Sequence, residues 1–395
     1  MSTTEDVIKP DYDAQQKHFI FNEDHESLRA SIRSFVEKEL TPHADEWEET
    51  TFPDSVIHRM GELGFLGLSM PVEYGGEGGD YYCNLVLAEE LARSNSGGLA
   101  MGVAVHTDMA MPPIHLFGTE EQKQEWLVPA IKGEKILCLG ITEPDAGSDV
   151  SGIKTHAVRD GDEWVINGSK TYITNGHRAD VIVLVTKTDL DAGYDGFSLF
   201  LVPMDSPGVI REKKLEKLGM NASDTALLAF QDVRVPHTAL LGQEGKGFFH
   251  IMWELQGERL IGAAGCVAGA QLCFEKTLQY ANERKAFGRS IGNFQVIRHK
   301  FAEMATKIEA ARQMTYMTAW RFNNGEYPVR EISMAKLYSA RIACEVADEC
   351  IQIHGGAGYM KEYGVERVWR DMRLNRIGAG TDEVMLDVIG RSYGL

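Results

Sequence analysis

From about residue 23 to 131, apolar residues recur at three- and four-residue intervals, as in Leu28, Ile32, Phe35 and Val36, which predicts a run of amphipathic helices. Thr41-Pro42 and Glu73-Tyr74-Gly75-Gly76 punctuate it. After Gly133 the period changes. Short runs rich in β-branched and aromatic residues follow at 164–166, 171–174, 181–186, 197–202 and 227–235, and Asn167-Gly168 between the first two predicts a two-residue hairpin turn. Beyond Gly247 the helical spacing returns and holds to the end, broken near Phe287-Gly288, at Asn323-Asn324-Gly325 and at His354-Gly355-Gly356. Four long helices there would form a bundle. The predicted fold is α+β and mostly α: an N-terminal helical domain (1–131), a small antiparallel β domain (132–246) and a C-terminal four-helix bundle (247–395).

Composition narrows the partners. A formal charge of -18 opposes binding to nucleic-acid backbones and anionic membrane surfaces. No apolar run approaches the ~18 residues of a membrane span, and the start MSTTEDVIKP has no apolar core of a signal peptide. The expectation is a cytoplasmic protein, or one of the mitochondrial matrix if a transit segment has been removed. Cys83, Cys138, Cys266, Cys273, Cys344 and Cys350 contain no C-x-x-C pair, and His106, His115, His156, His177, His237 and His354 have no H-x-x-x-H or H-E-x-x-H spacing, so no metal is expected. The Met-rich stretch 101–111 after Gly97-Gly98 reads either as helix core or as the wall of an apolar pocket.

Five stretches carry candidate chemistry. LGITEPDAGSD (139–149) joins a strand end to a loop of small residues with two hydroxyls, Thr142 and Ser148, whose exposed N–H and O–H groups suit a polar ring edge or a phosphate. NGSKTYITNG (167–176), ERKAFG (283–288) with Gln295, and QIHGGAGY (352–359) follow in order, and WRDMRLNRIGAGTDEV (369–384) closes the set. Gly355-Gly356 would let a pyrophosphate approach backbone where no Cβ intervenes.

With these motifs in this order and spacing, the chain resembles the acyl-CoA dehydrogenase family over essentially its whole length after residue 20. The resemblance implies two helical domains around a β domain, non-covalent FAD, an acyl-CoA substrate, an electron-transferring flavoprotein as partner, and a homotetramer. Residue by residue it implies that Thr142 and Thr174 bond the isoalloxazine, that Ile141 and Tyr172 line it, and that Ser148 lies on the flavin-phosphate side and also beside substrate. Arg284, Phe287, Gln295, Gln352, Gly355 and Gly356 would hold the adenosine and pyrophosphate across a subunit interface, with Thr381 and Glu383 near the cofactor. Arg259, Gly378 and Gly380 would flank substrate. Asp145 replaces the family's usual glycine, which implies added negative charge beside an anionic cofactor, and Tyr172 replaces a frequent tryptophan.

The reaction needs a base at the α-carbon. Much of the family supplies a glutamate near the C-terminus, where this chain has Ala379, which cannot take a proton. In a subset of isovaleryl-, long-chain- and citronellyl-type enzymes the glutamate lies instead on the first helix after the β domain, in an E-R-L context that matches Glu258-Arg259-Leu260. Glu258 shares a helical face with Ile251, Leu255, Ile261, Gly262 and Gly265, an apolar setting that raises a carboxyl pKa, and Glu254 one turn earlier would add repulsion. Pattern alone would equally leave Glu254, Glu258 and Arg259 on a solvated face. By the resemblance, the Ala379 N–H still serves the thioester oxygen. The expected activity is FAD-dependent α,β-dehydrogenation of an acyl-CoA in fatty acid β-oxidation, on a branched or longer chain. The alternatives are an acyl-CoA oxidase, a desulfinase-like non-oxidative relative, or a non-catalytic flavin and acyl-CoA binder.

Overall fold

The computed structural model describes residues 18–395, so the start of the chain lies outside the described residues. Helix α1 (Glu23–Phe35) begins at a capping box: Asn22 accepts from the His25 N–H, and the His25 ring accepts from the Asn22 N–H. Asp80 caps α2 (Tyr81–Ala92) by accepting from Tyr82 N–H. Gly97 opens α3 (Gly97–Ala104), which widens into a π-helical turn at Val105–Ala110. Such turns displace side chains from the regular helical stripe, here Thr107 and Asp108. Shorter helices continue to Val128–Ile131, and the described residues before β1 contain no strand.

Eight strands form one sheet: β1 (Leu137–Gly140), β2 (His156–Asp160), β3 (Glu163–Thr174), β4 (Val181–Lys187), β5 (Phe197–Pro203), β6 (Val209–Lys214), β7 (Thr225–Pro236) and β8 (Leu240–Leu241). Their order is β6-β7-β3-β2-β4-β5-β8, with β1 beside β4. Pairing is antiparallel except where β1 and the start of β2 meet β4, so the sheet is mixed rather than purely antiparallel.

Asn167-Gly168 is not a hairpin turn. It lies inside β3 at a register shift against β7, where a Cβ on Gly168 would come within 2.4 Å of Thr155 Oγ1. The dipeptide answers close backbone approach, and Asn167 trades hydrogen bonds with Asp232 across the bulge. The turn joining β2 to β3 instead uses Gly161, at φ 64°. A second register shift, between Lys170 and Ile173, puts Tyr172 at φ 61° and turns its ring out of the sheet.

The C-terminal region has three long helices rather than four: α4 (Gly247–Glu283), α5 (Gln295–Asn323) and α6 (Val329–His354). Gly355 at φ 59° and Gly364 at φ 66° then break the chain into α7 (Val365–Met372) and α8 (Asp382–Arg391), which pack against α6. Buried contacts tie α2 to this bundle. Arg29 of α1 and Tyr316 of α5 both donate to Glu89 on α2, at 2.6 and 2.5 Å, and Tyr81 donates to the Gly257 carbonyl at 3.0 Å. α2 and α4 are thereby fixed as facing walls.

Candidate functional site

A cavity of about 1240 Å³ opens between the sheet, α2–α3 and the bundle. That exceeds the ~300–1,000 Å³ of a pocket for one small ligand, so two molecules can share it. Ile141, Thr142, Ser148, Tyr172 and Thr174 line its sheet end, and Glu258, Arg259, Gly378, Ala379, Gly380 and Thr381 line the opposite wall. These eleven residues come from segments up to 240 positions apart in sequence, and folding gathers them all.

At the sheet end, the hydroxyls of Thr142, Thr174 and Ser148 and the Thr142 N–H have no hydrogen-bond partner among the described residues. Thr142 and Thr174 are half-buried and Ser148 is exposed, so all three hydroxyls are open to a ligand in the cavity. Asp145 lies in the exposed part of the loop and pairs with Lys154 at 3.1 Å, so its charge is offset, against the expectation of added negative charge beside the cofactor.

On the opposite wall, Glu258 projects from α4 with neither a hydrogen bond nor an ion pair among the described residues. It is half-buried, and its open side faces the cavity rather than bulk water. Burial pushes its carboxyl up to about 7, while Arg259 and Lys336 pull the other way. Glu254, fully enclosed with both oxygens unpartnered, is raised well above the carboxylate range by burial and then by Glu258.

The segment that shares this wall with Glu258 is held in a strained form. Ala379 adopts φ 55°, a left-handed conformation that is uncommon outside glycine. Arg259 Nε donates to the Ala379 carbonyl at 2.9 Å, and Lys336 donates to the Gly380 carbonyl. Thr381 caps α8 by accepting from Val384 N–H. Gly380 sits at φ 104°, and a Cβ there would meet Met385 at 2.7 Å. With its neighbours fixed, the Ala379 N–H is left without an internal partner. Arg259 lines the cavity, but its Nε is committed to this backbone.

Not every expected residue reaches the cavity. Arg284, Phe287, Gln295, Gln352, Gly355, Gly356 and Glu383 are outside it and exposed, Phe287 by 96%. Tyr280 stacks on His354 with ring centroids 4.2 Å apart, bringing together the ends of α4 and α6 that carry most of them. Sequence reasoning missed Asp108, Lys217 and Lys336, which also line the cavity. Burial raises Asp108 to about 6 and lowers Lys217 to about 8. Asp108 follows from the Met-rich stretch, of which Met101 and Met109 line the cavity while Met111 is core. For Lys336 no motif gave a signal. Among the described residues, His25, Asp80 and Cys83 lie within reach of a shared ion, but burial lifts the thiol to about 11, and a protonated thiol is a poor ligand.

Unpartnered donors at the sheet end and an isolated carboxyl on the other wall suit an enzyme that works with a bound organic cofactor. The acyl-CoA dehydrogenase N-terminal, middle and C-terminal domains match residues 22–134, 138–233 and 245–394. The chain is 41% identical to "Probable acyl-CoA dehydrogenase YngJ" of Bacillus subtilis (strain 168), over 95% of this chain and 99% of that protein. It is 39% identical to "Long-chain specific acyl-CoA dehydrogenase, mitochondrial" of Sus scrofa, over 94% and 87%. A solved acyl-CoA dehydrogenase from Geobacillus kaustophilus superposes with a TM-score of 0.94 at 43% identity, covering 96% of this chain and all of that one. The chain belongs to the acyl-CoA dehydrogenase family. It is accordingly an oxidoreductase acting on CH–CH groups and an FAD-dependent flavoprotein. No described helix is long and apolar enough to cross a membrane.

Proposed function

We propose that this enzyme desaturates an acyl-CoA to the trans-2-enoyl-CoA, with Glu258 taking the α-proton. The observation that carries the reading is the placement of Glu258: a carboxyl without partners, raised to about 7, on a cavity wall facing free hydrogen-bond donors. A base with that pKa is half ionised at neutral pH and binds the proton it removes. The Ala379 N–H donates to the thioester oxygen and stabilises the enolate-like charge that forms as the α C–H bond breaks. Such a donor contributes about 3–4 kcal/mol in comparable oxyanion sites. Arg259 and Lys336 act by holding that segment in place, and Ser148, Gly378 and Gly380 flank the substrate.

The sheet end fits FAD: Thr142 and Thr174 offer hydroxyls to the ring edge, Ile141 and Tyr172 line it, Ser148 faces the phosphates, and Thr381 adjoins it from the bundle. When bound there, the flavin supplies the acceptor for the β-hydride. Arg284, Phe287, Gln295, Gln352, Gly355, Gly356 and Glu383 lie outside the cavity of one copy, which favours their serving the cofactor of a neighbouring copy in a homotetramer. The family resemblance supports an electron-transferring flavoprotein as acceptor, in the cytoplasm or mitochondrial matrix. The glutamate on α4 supports grouping the enzyme with the isovaleryl-, long-chain- and citronellyl-type subset, acting on branched or longer chains.

Anaerobic bleaching of the purified flavoprotein by straight and 3-methyl-branched acyl-CoAs tests the reading. Bleaching by at least one series, fastest with longer or branched chains, is expected. A flavin that no acyl-CoA bleaches would sink it. Peroxide formed at the full turnover rate would replace the flavoprotein acceptor with oxygen.

A further inference from the structure

Behind the sheet end of the cavity lies a buried ion pair that the chemistry above does not use. The Lys170 side chain is 0% exposed, and its ammonium donates to Glu143 Oε1 and to the Ile141 carbonyl, each at 2.8 Å. Glu143 in turn accepts from the N–H groups of Lys154 at 2.7 Å and Thr155 at 3.0 Å. The pair therefore anchors both ends of the loop that carries Thr142 and Ser148. Stability gives little reason for it, because replacing a buried pair by apolar residues of similar volume is often neutral or stabilising. Its geometry gives a better one.

Across a trans peptide the C=O and N–H point in opposite directions. Lys170 lies behind the wall and holds the Ile141 carbonyl, so the Thr142 N–H of the same peptide points away from Lys170. Ile141 and Thr142 both line the cavity, whereas Lys170 does not. That N–H has no partner among the described residues, while the Thr142 carbonyl is taken by the Thr171 N–H at 2.9 Å. Burial lowers the Lys170 ammonium to about 8, with Glu143 opposing the shift.

We propose that Lys170, held by Glu143, is a positioning residue that presents the Thr142 backbone N–H to the polar edge of the bound flavin. The proposal rests on the placement of the flavin at Thr142 and adds a function to a side chain that touches neither cofactor nor substrate. It predicts that the reduced, more electron-rich flavin depends on this donor more than the oxidised form does.

The test uses Lys170→Met, Glu143→Gln and, as a check on flavin placement, Thr142→Ala, which deletes the hydroxyl and keeps the N–H. FAD affinity is measured by titrating the apoprotein, together with the reduction potential of the bound flavin. Lys170→Met is expected to weaken FAD binding about 10- to 100-fold, in line with loss of about 1.4–2.8 kcal/mol of interaction. Its potential should fall by about 30 mV for each tenfold greater loss from the reduced form, as a two-electron couple requires. Glu143→Gln leaves the Lys170 contact to Ile141 in place and should give a smaller loss, which keeps the test decisive if Lys170→Met fails to fold. Lys170→Met with wild-type affinity and potential, beside a weakened Thr142→Ala, would overturn the proposal and leave the flavin placement standing. If neither variant alters FAD binding, the placement itself is wrong.

Discussion

Arg259 gives the sharpest quantitative test of how the site is held. Its side chain is buried, and its Nε reaches the Ala379 carbonyl at 2.9 Å. Arg259→Lys keeps the positive charge but replaces the planar donor fork with a compact ammonium on a different geometry. A hydrogen bond from a charged donor contributes about 1.5–3 kcal/mol net. At about 1.36 kcal/mol per tenfold, that loss slows the chemical step roughly 10- to 150-fold if it falls wholly on the transition state. The strain points the same way: a non-glycine residue in the left-handed region costs about 1–2 kcal/mol, so Ala379 relaxes once released. Anaerobic stopped-flow reduction of the flavin at saturating acyl-CoA reads the step directly. The account expects a slower reduction, an acyl-CoA affinity close to wild type, and a pH dependence that does not move, because the charge beside Glu258 is retained. A variant that reduces its flavin as fast as wild type, or that loses only acyl-CoA affinity, would refute the reasoning and make Arg259 a substrate contact.

Flavin reduction by wild type should rise about tenfold per pH unit up to a midpoint near 7 and then level off, because Glu258 accepts a proton only when ionised. Arg259→Met and Lys336→Met should move that midpoint upward, since both cations favour the ionised form; an unmoved midpoint would place the titration elsewhere. Gly168→Ala should cost at least about 1–3 kcal/mol in chemical denaturation, because its Cβ would lie 2.6 Å from Thr155 Cα. Asp145→Gly should change FAD affinity less than about fivefold, the equivalent of 1 kcal/mol, since Asp145 forms only an exposed pair with Lys154.

Periodicity carried most of the architecture. The switch from 3.6-residue to two-residue spacing near Gly133, and back near Gly247, marks the changes from helix to sheet and to helix again. What it misread were features set by distant contacts. Asn167-Gly168 has the local chemistry of a turn, but β7 and Thr155 hold it in a bulge. The last helices are short because Gly355, Gly364 and Gly380 take positive φ, and helical spacing does not report breaks of that kind. The site was legible where motifs were dense, as at 141–148 and 172–174. Lys336 was not, since a lone lysine on a helix gives no sign that it will meet the Gly380 carbonyl 44 residues on. Glu254 was legible as a neighbour of Glu258, but only the packed structure shows that Glu254 is fully enclosed while Glu258 stands half-buried on the cavity wall.

The central claim is that Glu258 removes the α-proton, and Glu258→Gln tests it with least disturbance. The carboxyl has no hydrogen-bond or ion-pair partner among the described residues, so the amide should fold, bind FAD and melt at or above the wild-type temperature. Its anaerobic flavin reduction by a productive acyl-CoA should fall about 10²- to 10⁴-fold. Reduction at the wild-type rate in that folded, FAD-loaded variant would contradict the account.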